Sequence, residues 1–160
     1  MGDTDPATAP FASPLMRQIR DVLRDEYYTA ISGSTDSEHI FALLLHFLHG
    51  RSFSLPTVVA AMSETIDQLL RWAMAKGVHM ALNLALTNGA YVVASRCAST
   101  APAPSLYYTT NSPFFPQAVV IASERLFTSS DWLAVPEGSL VAFDADLTLH
   151  RFDLQRQVAA

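Results

Sequence analysis

The chain has 160 residues, half of them apolar and 16% charged, with a formal charge of −5 at neutral pH. This composition excludes a disordered chain, and its 10 Lys and Arg residues form no cluster of the kind a nucleic-acid surface needs. No apolar stretch approaches the ~20 residues that cross a bilayer, and the single cysteine, Cys97, excludes an internal disulfide framework and suits a reducing compartment. A soluble, cytoplasmic protein is therefore expected, without nucleic-acid or membrane partners.

Residues 1–13 are rich in Pro, Ala and Thr and are expected to form a disordered lead. They are acidic and hold no apolar core, so they do not read as a secretory signal. Pro6 stands where N-myristoylation requires Ser or Thr. One domain is expected over residues 14–156, followed by a short tail at 157–160.

Helical spacing begins at Pro14, with Leu15, Ile19, Val22 and Leu23 on one face and Arg17, Arg20, Asp21, Arg24 and Asp25 on the other. Gly33 interrupts it. The segment Thr35-Asp36-Ser37-Glu38 then fits a capping box: Thr35 accepts from a backbone N–H, and Glu38 reaches back to the N–H of Thr35. Asp36 falls in the first turn, where the helix dipole favours a carboxylate. The helix that follows, from Asp36 to about His49, is apolar nearly all round and is expected to be buried, with Gly50 as its stop. A third helix keeps a 3.6 period from Pro56 to about Lys76 and ends at Gly77.

Beyond Gly77 the period changes to two. Leu82, Leu84 and Leu86 alternate with Asn83, Ala85 and Thr87, and Asn88-Gly89 turns the chain into Tyr91-Val92-Val93, a hairpin signal. Short strand-like runs follow: SLYYTT, AVVIAS, GSLVAF and LTLHRF. Pro102, Pro104, Pro113, Pro116 and Pro136 are assigned to the loops between them. Helices first and antiparallel strands afterwards predict an α+β fold.

Four features invite a chemical role. Cys97 lies at a strand end beside Arg96, which could lower a thiol pKa, but a buried strand cysteine accounts for it as well. His39, His46 and His49 share one helix, and the last two stand at i, i+3. No further ligand cluster accompanies them, and no metal is expected. Asp144 and Asp146 read as turn residues. Asp36 suits either a dipole complement or a contact to a substrate ammonium, because both need the same residue at the same place.

Several segments taken together resemble one family. ISGSTDSEHIFALLL is similar to the Thr-Asp-(Ser/Thr)-Glu segment of class II glutamine amidotransferase domains, which have the N-terminal-nucleophile hydrolase fold. NLALTNGAYVVASR resembles the central hairpin of that family. SLYYTT and the run VVIASERLFTSSDWLAVPEGSLVAF resemble the later strands of one branch, with Ala122-Ser123-Glu124, Asp131-Trp132 and Val135-Pro136 in the same order. That branch contains the amidotransferase-like subunit of the fungal glutathione-degradation complex and the amidohydrolase of ergothioneine biosynthesis. The likeness extends over roughly residues 15–154.

The resemblance implies an α/β/β/α sandwich, here partial, and hydrolysis of a γ-glutamyl amide without a cofactor. In such enzymes an N-terminal cysteine attacks with its own α-amino group as base. An Asn-Gly pair forms the oxyanion hole, an Arg binds the substrate carboxylate, and the Asp of the Thr-Asp segment binds the α-ammonium. Only the last carries over, as Asp36. Gly2 stands in place of the cysteine, TAPFAS occupies the place of the oxyanion loop, and the Arg segment is absent. The chain is thus expected to be the C-terminal part of such a domain, inert by itself. An alternative is a non-catalytic half-domain that pairs with a partner subunit or with itself. A third reading makes Cys97 a nucleophile with one of the histidines.

Overall fold

The helical period that starts at Pro14 produces α1 (Ser13–Val22). The computed structural model describes residues 13–154, so the expected lead at 1–12 and the tail at 157–160 lie outside the described residues. Leu15 and Ile19 of α1 are fully buried, whereas Val22, assigned to the same face, is exposed in the last turn. The chain then forms a six-residue helix the sequence reading missed, α2 (Asp25–Ala30), which buries none of its residues. Its segment DEYYTA has no apolar period to signal it.

Next come α3 (Asp36–Leu48) and α4 (Leu55–Lys76). Contacts join α3 to α1, to α2 and to α4. Ile40, Ala42, Leu43, Leu44 and Leu48 are buried, but Phe41 is half exposed and Leu45 and Phe47 are only partly covered. The expectation of a helix buried all round is therefore corrected: the direction of Phe41 remains open. The α4 helix buries Val58, Val59, Met62, Ile66, Leu69 and Ala73 at the predicted spacing. Ser54 and Thr57 form its capping box, and Gly77 ends it at φ +64°, a left-handed conformation that favours glycine.

Residues from His79 onward form a second compact unit, distinct from the helical one that ends at Val78. It is an antiparallel structure of two sheets, ordered β1-β2-β6-β7 and β4-β3-β5. The Asn88-Gly89 hairpin is present: β1 (Ala85–Thr87) pairs with β2 (Val92–Arg96), Leu86 facing Val93. Its loop has four residues rather than two. Asn88 Oδ1 accepts from the N–H groups of Ala90 and Tyr91, which closes the wider turn.

SLYYTT becomes β3 (Tyr107–Ser112), paired with β4 (Phe115–Ala122) and with a two-residue strand the sequence did not reveal, β5 (Leu133–Ala134). Pro116 falls inside β4 rather than in a loop. Being at a sheet edge, that strand tolerates a residue without an N–H. β6 (Ser139–Phe143) and β7 (Leu149–Asp153) complete the first sheet. The two sheets share a core of Ala94, Leu106, Tyr108, Val135, Val141 and Phe143, bordered by Val119 and Ile121 of β4. Tyr108 and Phe143 meet with ring centroids 5.2 Å apart, and Arg151 of β7 donates to the Tyr108 hydroxyl at 2.8 Å.

The description is thus α+β, helices first and antiparallel strands after. No helix among the described residues is long and apolar enough to cross a membrane. Since Ile66 is fully buried on α4, Ile66→Ala should cost about 2–5 kcal/mol, while Met74→Ala on the exposed side should stay within about 0.5 kcal/mol. Urea unfolding followed by helical circular dichroism measures both.

Candidate functional site

Thr35 is the N-cap of α3: its backbone is extended, and its hydroxyl accepts from the N–H of Glu38 at 3.3 Å. That half of the capping box is as the sequence predicts. The other half is corrected. The Glu38 carboxylate does not return to the N–H of Thr35 but accepts from the N–H of Ser32 at 2.8 Å and from that of Gly33 at 2.8 and 3.0 Å, with the Ser32 hydroxyl at 3.3 Å. Two backbone donors converging on one carboxylate outweigh the single donor of a capping box. These backbone donors hold the Glu38 carboxyl below the usual glutamate range.

Gly33 is what admits this clasp. A Cβ built there would lie 2.5 Å from Glu38 Oε2. The residues from Ser32 to Glu38 therefore form a closed loop tied to the first turn of α3.

Asp36 sits inside that loop, on the first helical turn and partly exposed. Its Oδ1 accepts from the N–H of Ser37 at 2.7 Å and faces the Ser37 hydroxyl at 3.4 Å. These contacts fix the carboxylate through one oxygen. Among the described residues Oδ2 has no bonded partner. An anchored carboxylate with one open oxygen is suited to accept from a cationic donor.

His39 lies one turn further on and is completely buried. The Arg20 Nε donates to its Nε2 at 2.8 Å, and its Nδ1 is 2.7 Å from the Thr35 carbonyl. A guanidinium only donates and a carbonyl only accepts, so the ring is the neutral tautomer with its proton on Nδ1. It ties α1 to the N-cap of α3, a role the sequence signalled only through the i, i+4 spacing of Thr35 and His39.

The other candidates separate from this site. Cys97 is 2% exposed, and its thiol faces the Leu82 carbonyl at 3.5 Å. The neighbouring Arg96 turns to the carbonyls of Pro104, Val135 and Ala103 at 2.9, 2.8 and 3.3 Å. Consecutive strand residues point to opposite faces, so Arg96 is not aimed at the thiol. Among the described residues no group of three or more His, Cys, Asp and Glu could hold a metal ion. Asp144 and Asp146 both accept from the N–H of Thr148 at 3.1 Å, as turn residues do, and Asp144 also meets His150 at 2.8 Å.

The clasp has measurable consequences. Glu38→Gln and Gly33→Ala should each lower the melting temperature at pH 7, and the double variant should lose less than the sum, because both break one contact. The depressed Glu38 carboxyl stabilises the fold above the ordinary glutamate range, and that contribution is lost as pH falls through its depressed value. Acid titration of stability should show this component in the wild type and not in Glu38→Gln.

No family model matches the chain. Among curated proteins, the probable glutamine amidotransferase DUG3 of Saccharomyces cerevisiae is 31% identical over 160 aligned residues, covering 79% of this chain and 45% of that protein. Among solved structures, the glutamine aminotransferase class-II domain protein from Silicibacter pomeroyi superposes with a TM-score of 0.73 at 31% identity. That superposition covers 87% of this chain and 60% of the other. The chain thus spans about half the length of the curated relative it matches. On both sequence and structure it is a relative of the class II glutamine amidotransferase domain proteins, matching a part of their length.

Proposed function

We propose that this chain supplies the ammonium-binding turn and the sheet scaffold of a glutamine amidotransferase-type domain acting on γ-glutamyl amides, glutamine or a glutathione-type compound. The observation that carries the reading is Asp36: it combines the family's Thr-Asp-Ser-Glu segment with a carboxylate anchored through Oδ1 and open at Oδ2. A substrate α-ammonium placed at Oδ2 would gain a charge-assisted hydrogen bond, which fixes the amino-acid head and leaves the γ-amide free to be attacked.

The residues of this chain bind and orient rather than attack. Its one cysteine, Cys97, is buried on a strand and faces a carbonyl. A thiol so enclosed is a poor nucleophile toward a substrate held in solvent reach. The polypeptide on its own is therefore assigned no hydrolytic step. The nucleophile, the oxyanion donors and the carboxylate-binding Arg belong to elements that the resemblance implies and these residues do not supply.

Incubation of the purified 160-residue chain with glutamine, and separately with glutathione, should release neither ammonia nor glutamate above the uncatalysed rate. Clear turnover would contradict this reading, and its loss in Cys97→Ala would reassign the nucleophile to that thiol.

A further inference from the structure

The two histidines at i, i+3 that close α3 have a function unrelated to metal and independent of the reading of Asp36. The short α2 helix buries no side chain, so apolar packing does not hold it in place. Instead, three polar contacts attach it to the end of α3. The backbone N–H of Arg24, the N-cap of α2, donates to Nδ1 of His46 at 3.3 Å. Nδ1 of His49 lies 2.8 Å from Glu26 Oε1 and 3.1 Å from the Tyr27 hydroxyl. The Tyr27 and His49 rings also meet edge-on at 6.0 Å.

We propose that α2 is a strap latched to α3 by the neutral imidazole of His46, and that protonation of His46 releases it. The latch follows from donor and acceptor roles. A backbone N–H only donates, so His46 Nδ1 must carry the lone pair and the ring its proton on Nε2. A second proton on Nδ1 removes the acceptor and sets a cation beside the Arg24 backbone. It also brings that cation within the field of the Arg24 side chain and of His49.

His49 responds in the opposite sense. A carboxylate accepts only, so its Nδ1 already carries a proton toward Glu26, and charging the ring strengthens that pair. The groups that face this latch are thus Arg24, Glu26 and Tyr27 from the strap and His49 from α3; among the described residues the charges acting on His46 are Arg24 and His49. Burial first, and then those two cations, keep His46 below the ordinary imidazole range. The strap is closed at neutral pH and opens as pH falls through that depressed value. Because α2 ends at Ala30, two residues before the Ser32 N–H that Glu38 holds, its release slackens the chain that enters the Asp36 loop.

Amide hydrogen exchange on the full chain, read by NMR and corrected for intrinsic rates, tests the latch between pH 7.5 and 5.0. Protection of the Tyr27, Tyr28 and Ile31 amides should fall about fivefold or more, the factor expected for losing one hydrogen bond. The midpoint should track the His46 ring titration, with α4 amides unchanged. His46→Asn keeps an acceptor near the Nδ1 position and cannot titrate, so its α2 protection should be flat across the range. His46→Leu should show the low protection at both pH values. The proposal is overturned if wild-type α2 protection stays constant while His46 titrates, or if His46→Asn loses protection as the wild type does.

Discussion

The Glu38 carboxylate, gripped by the N–H groups of Ser32 and Gly33, is the contact on which the organisation of the site depends. Without it the residues before α3 would have only the Thr35 cap to position them. With it, the chain from Ser32 onward is folded back on the first helical turn, and Asp36 is presented at a fixed place. The carboxylate works at the positive end of the helix, where a negative charge is favoured in any case. A glycine at position 33 is the condition, since any side chain would meet the carboxylate oxygen. The buried pair of Arg20 and His39 braces the same turn from the other side by fixing the Thr35 carbonyl.

The strand unit obeys a comparable logic. Its core is the space between two antiparallel sheets, filled by Tyr108, Val135, Val141 and Phe143. Arg96 holds the loop segments at its rim by donating to three carbonyls, those of Ala103, Pro104 and Val135. Those segments carry no ladder of their own, and a guanidinium with five donors satisfies several carbonyls at once. Arg96, which in the sequence seemed an activator of Cys97, is a structural clamp.

The long elements were legible because they are periodic. The 3.6 spacing of Val58, Val59, Met62, Ile66, Leu69 and Ala73, bounded by Ser54 and Gly77, fixes α4 within a residue at its start. The alternation around Asn88-Gly89 locates the first hairpin. What escaped has no period: α2 is six residues of mixed polarity, and β5 is two residues long. The site was half legible. Thr35 and Asp36 follow from local helix-start chemistry, but the true partners of Glu38 depend on how the chain curls at Ser32 and Gly33, which no spacing rule encodes. The pairing of His46 and His49 with α2 was hidden for a similar reason, because it required a helix that the sequence did not announce. Family likeness gave Asp36 its chemical meaning; the fold alone leaves it an anchored carboxylate.

The central claim is that Glu38 holds the loop that presents Asp36. Side-chain carboxyl NMR across an acid titration measures it directly, with the Ser32 and Gly33 amide protons followed in the same spectra. Glu38 should titrate below the ordinary glutamate range, and both amide resonances should move with the same midpoint as their acceptor is protonated. A Glu38 carboxyl that titrates in the ordinary range, with Ser32 and Gly33 amides indifferent to it, would contradict the account.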